Sequence, residues 1–94
     1  MPTKIKLVEE EESKTTLMRV AGEMFADDAE FVKKLAIEKH EESAHKIIID
    51  LGDLTYLDSD AASILRRLTR DPNYTLEGLD IFLQTAVDQA EGRA

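Results

Sequence analysis

The chain has 94 residues, no cysteine, 43% apolar and 34% charged residues, and a formal net charge of −8 at pH 7. A chain of this length builds one modest core, so residues 1–94 are expected to form a single domain, with an N-terminal strand and acidic turn over 1–14 and the core over 15–92. The acidic balance argues against nucleic acid as a partner, because backbone phosphates are held by clustered Lys and Arg; the absence of Cys removes disulfides and thiolate chemistry.

No stretch approaches the ~20 apolar residues of a bilayer span, and "MPTKIKLVEEEE" lacks the apolar centre of a signal peptide. A cytoplasmic protein without membrane insertion is therefore expected.

In chain order, "KIKLV" (4–8) alternates polar with apolar and predicts a strand with Ile5 and Leu7 on one face; "EEEESK" then predicts a solvated turn. "TTLMRVAGE" (15–23) predicts a second strand ended by Gly22, close enough to the first to pair antiparallel. In "AEFVKKLAIEKHEE", Phe31, Val32, Leu35 and Ala36 recur at helical spacing, and Asp27 and Asp28 sit where acids favour a helix start. The run Ile47, Ile48, Ile49 in "HKIIIDLGDLTYLD" predicts a central strand covered on both faces.

"AASILRRLTRD" predicts a helix aligned on Ala61, Ile64, Leu65 and Leu68 and stopped by Pro72. "YTLEGL" predicts a short strand ended by Gly78. "DIFLQTAVDQAEG" predicts a last helix capped by Asp80, with Phe82, Leu83, Ala86, Val87 and Ala90 in phase. The order β-β-α-β-α-β-α implies an α/β fold: a four-stranded mixed sheet, mostly parallel, packed with about three helices.

Residues 15–90 in this arrangement resemble the STAS domain, the fold of bacterial anti-sigma factor antagonists and of the regulatory tails of sulfate transporters. The most specific part is "IIIDLGDLTYLDSDA" (47–61), which looks like the family's apolar strand, aspartate, loop, hydrophobic pair and Asp-Ser-Ser/Thr-Gly. "VAGEMFADDAEFVKKL" resembles its strand, Gly-Glu and first helix. The resemblance implies a short stand-alone version of the fold and a regulatory, non-catalytic protein-binding module. It also implies a phosphoacceptor at Ser59, modified by a partner serine kinase that is itself the anti-sigma factor. Tyr56, Leu57, Asp58, Asp60, Ala61 and Ser63 would form the switch loop and partner-binding rim. The chain departs from the pattern at Asp60, where Ser or Thr is usual, and at Ala61, where Gly is usual. Asp60 would supply a fixed negative charge, which fits an alternative: an unphosphorylated accessory subunit of a transporter ATPase or a signalling assembly.

The residues also admit plainer roles. Ser is a preferred helix N-cap, so Ser59 is equally a cap. Tyr56 and Leu57 are either core or the start of a contact surface. Met18, Met24, Phe25 and Phe31 are expected in the core, and His40 and His45 on the surface near the end of the first helix, at a spacing that does not favour a metal. Arg66, Arg67 and Arg70 are expected on a solvated helix face. Asp58 and Asp60 have no base, nucleophile or metal-ligand partner in the motif, and no glycine-rich phosphate loop occurs, so neither catalysis nor a cofactor is expected.

Overall fold

The computed structural model describes residues 3–78. Six elements follow one another: β1 (Thr3–Glu10), β2 (Thr15–Met24), α1 (Ala26–Ser43), β3 (Lys46–Leu57), α2 (Ser59–Leu68) and β4 (Tyr74–Glu77). They build one four-stranded sheet in the order β1-β2-β3-β4. The β1–β2 hairpin is antiparallel, and β3 pairs parallel with both β2 and β4. The expected helix from Asp80 lies outside the described residues.

The topology follows from two simple rules. The acidic turn after Glu10 is too short for a crossover, so β1 folds back antiparallel. From β2 onward each parallel neighbour is reached through a helix, and successive crossovers of one hand that advance in one direction across a sheet put their helices on the same face. α1 and α2 accordingly pack against each other as well as against the sheet.

Burial alternates along the strands as one covered face demands. Met18, Val20, Ile47, Ile49, Leu51, Leu54, Leu57 and Tyr74 point into the core, where they meet Ala29, Val32 and Ala36 of α1 and Ala61, Ala62, Ile64, Leu65 and Leu68 of α2. The side chains between them point the other way. Ile48, expected under cover like its neighbours, is only half-buried on this second face, beside half-buried Leu17. A continuous apolar run therefore marked a central strand here without marking a doubly covered one.

Two further expectations fail on burial. Phe25 and Phe31 are 42% and 58% exposed rather than core. Phe25 precedes the helix and does not share its apolar face, and the core-facing stripe of α1 runs through Ala29, Val32 and Ala36, which turns Phe31 outward. His45, expected on the surface, is 2% exposed. α1 ends at Ser43, and Ala44 takes a left-handed conformation (φ 61°) that turns the chain sharply into β3 and draws His45 inward.

At that end of the sheet a small polar network replaces apolar packing. The His45 ring and the fully buried Thr16 hydroxyl are joined Nδ1 to Oγ1 at 3.0 Å, and His45 Nε2 lies 3.5 Å from a Glu11 carboxylate oxygen. His40 donates from Nδ1 to the His45 carbonyl at 2.7 Å, and its ring stands edge-on to Tyr74 at 5.6 Å.

Candidate functional site: the start of α2

β3 ends at Leu57, and the chain enters α2 through Asp58, whose extended backbone (φ −80°, ψ 160°) is that of an N-cap residue. The Asp58 carboxylate accepts from the Ala61 N–H at 2.9 Å, and its carbonyl accepts from the Ala62 N–H at 2.9 Å. Its own N–H donates to the Met24 carbonyl at 3.0 Å, tying the start of α2 to the end of β2. The cap is therefore Asp58 and not Ser59. A carboxylate at this position both satisfies an orphan N–H and meets the positive end of the helix dipole, which a hydroxyl does less strongly.

Ser59 becomes the first residue of the helix proper, and it is exposed. Asp60 beside it is exposed in the first turn, whereas Ala61 and Ala62 are completely buried and Ser63 half-buried. The helix thus begins with an outward hydroxyl and an outward carboxylate above two small side chains pressed into the core. Both plain readings of the hydrophobic pair hold, one each: Leu57 is core at 4% exposure, and Tyr56 is 42% exposed.

Tyr56 has a partner that sequence reading placed in the core. Phe25, the residue before α1, stands with its ring centroid 5.3 Å from that of Tyr56, tilted by 43°. Phe25 carries no acceptor to cap α1, so Asp28 reaches back and accepts from the Phe25 N–H at 2.9 Å. The signal in the sequence was positional: an aromatic two residues ahead of Asp27 falls before the helical repeat, and nothing in its spacing assigns it to a buried stripe.

The electrostatics of this end are one-sided. Segments 20–32 and 47–65 contain no Lys or Arg. Glu23, Asp27, Asp53 and Asp60 are exposed and Asp28 and Asp58 half-buried around the aromatic pair. Arg67 and Arg70 are exposed and Arg66 is half-buried, farther along α2. Among the described residues no cluster of His, Asp or Glu has the arrangement of a metal site, and no helix is long and apolar enough to cross a membrane.

The model of the STAS domain matches residues 6–83 of the chain. Among solved structures, the unphosphorylated form of the anti-sigma factor antagonist SpoIIAA is similar with a TM-score of 0.67 at 20% identity, covering 95% of this chain and 81% of that one. A serine-to-glutamate variant of RsbS from Moorella thermoacetica has a TM-score of 0.74 at 12% identity, covering 94% and 78%. An anti-sigma-factor antagonist STAS domain from Rhodobacter sphaeroides has a TM-score of 0.63 at 15% identity, covering 82% and 87%. No curated protein matches. With four-fifths of its length matched by the family model, this chain belongs to the STAS domain family.

Proposed function

We propose that the protein is a non-catalytic regulatory module that binds another protein through the rim formed by Tyr56, Asp58, Ser59, Asp60 and Ser63, with Leu57 and Ala61, expected in that rim, buried beneath it instead, and that phosphorylation of Ser59 switches this binding. The observation that carries the reading is the division of labour at the helix start: Asp58 caps α2, which leaves the Ser59 hydroxyl exposed and without a structural task. A phosphate there would face the first N–H groups of the helix and the positive end of its dipole, so the fold tolerates it. It would also add roughly −1.5 to −2 charges beside segments 20–32 and 47–65, which hold no Lys or Arg.

That surface fits a partner with a basic rim and an apolar pocket for the Phe25–Tyr56 pair. The similar antagonist SpoIIAA has been solved in phosphorylated and unphosphorylated forms, which supports the same class of switch, with an anti-sigma factor kinase as the kind of partner.

The test is intact-mass and fragment mass spectrometry on protein purified from its own cells under phosphatase inhibition, with partners captured alongside. Phosphate on Ser59 is the expected result, and a Ser59→Ala variant should bind the captured partner regardless of its kinase activity. Kinase-sensitive binding that persists in that variant would overturn the switch. The carboxylates of Asp58 and Asp60 on either side of Ser59 favour a second reading, an accessory subunit with a fixed charge state; it predicts an unmodified Ser59 in a stable complex.

A further inference from the structure

The face of the sheet turned away from α1 and α2 is ordered in cross-strand rows. Residues that are partners in register lie side by side, and side chains between the core-facing ones share this second face. One row reads Val8, Leu17, Ile48, Thr75 from β1 to β4. The row beside it reads Lys6, Arg19, Asp50, Glu77. The first is apolar over three of its four positions, with Val8 39% exposed and Leu17 and Ile48 half-buried around a shallow recess. The second is two cations followed by two anions, with Arg19 and Asp50 3.5 Å apart at its centre.

A row of this kind is its own complement. A two-fold axis parallel to the strands, midway between β2 and β3, lays β1 of one copy over β4 of the other and β2 over β3. It keeps every row opposite itself in reverse order. Lys6 then faces Glu77 of the second copy, Arg19 faces Asp50, and Leu17 packs on Ile48. The two central ion pairs close into an alternating quartet. This is an isologous contact in the aligned mode of sheet packing.

We propose that this open sheet face is a homodimerisation surface, and that its occupant is a second copy of the chain. The size of the face sets the strength. At ~4.8 Å strand spacing and ~3.3 Å per residue, about eight residues on each of β2 and β3 and four where β1 overlies the four-residue β4 give about 400 Å² per copy, or about 800 Å² in total, the size of a weak, transient interface. The net charge of −8 on each chain adds long-range repulsion. The dimer is therefore reversible, with a dissociation constant in the micromolar range. Because the axis runs along the strands, both copies present residues 56–63 at the same end of the assembly, ready for a two-site partner.

Sedimentation of the full chain over a concentration series, with charge exchange at the row's ends, tests the arrangement. Lys6 and Glu77 are exposed and lie on opposite edges of the sheet, too far apart to pair within one chain. Lys6→Glu alone and Glu77→Lys alone each create two like-charge contacts and should weaken dimerisation by about tenfold or more. The double exchange should restore it, with far-UV circular dichroism unchanged in all three. Restoration in the double variant has no source other than pairing between copies. A monomer at every concentration overturns the proposal, and so does a dimer indifferent to the exchanges.

Discussion

The two ends of the parallel strands are built on opposite plans. Where β2 and β3 end, acids and two aromatic rings stand exposed around helix starts capped by neighbouring carboxylates. Where β3 begins, polar groups are buried or half-buried and joined to one another: Thr16 to His45 from 29 positions away, and His40 to the His45 carbonyl across the turn out of α1. The first end offers groups to solvent and can lose several with little effect on folding. The second holds Thr16 and His45 almost fully buried against each other, so it carries stability. Chemistry and stability are separated along a single strand, β3.

Substitution at the buried end should have the largest effect on stability. His45→Ala leaves the Thr16 hydroxyl buried without its partner and opens space beneath the hairpin; an expected loss of about 2 to 3 kcal/mol would appear as a lowered denaturant midpoint. A loss below about 0.5 kcal/mol would erase the contrast between the two ends. At the exposed end Asp58→Ala removes the cap of α2 and should cost about 1 to 2 kcal/mol, with Asp58→Asn recovering most of it because an amide oxygen still accepts from Ala61.

Ser59→Ala should change stability by less than about 0.5 kcal/mol, since the hydroxyl is exposed and does not cap. Equal losses at 58 and 59 would return the capping role to the serine.

The weakest effect at neutral pH belongs to Tyr74. Burial, with the charges of Asp71 and Glu41 adding to it, pushes its hydroxyl above the ordinary 10.0. The folded chain then holds this proton more tightly than the unfolded one. Its contribution is fully present below pH 10 and is lost as pH rises through the folded value. Unfolding midpoints followed from neutral to strongly alkaline pH should fall more steeply in the native chain than in Tyr74→Phe.

Much of the fold was legible because the strands and helices alternate with clear periods, and because a turn of four polar residues after β1 permits only a hairpin. The motif likewise placed the candidate site at residues 56–63. What was not legible depends on contacts between distant segments. His45 reads as a surface residue until the parallel pairing of β2 with β3 brings Thr16 to it from 29 positions away. Phe25 reads as core until the end of β3 brings Tyr56 alongside. Ile48 reads as covered because composition records that a side chain is apolar and not which layer lies over it. The choice of cap between Asp58 and Ser59 turned on one backbone dihedral pair, below the resolution of any residue pattern.

The Asp58 cap has a consequence for how such a protein can change over time. Because the neighbouring carboxylate secures the helix, position 59 is released from folding selection, and a lineage can acquire, discard or imitate a charge there without altering how much folded protein the cell holds. Signalling at this position can therefore be rewired one substitution at a time.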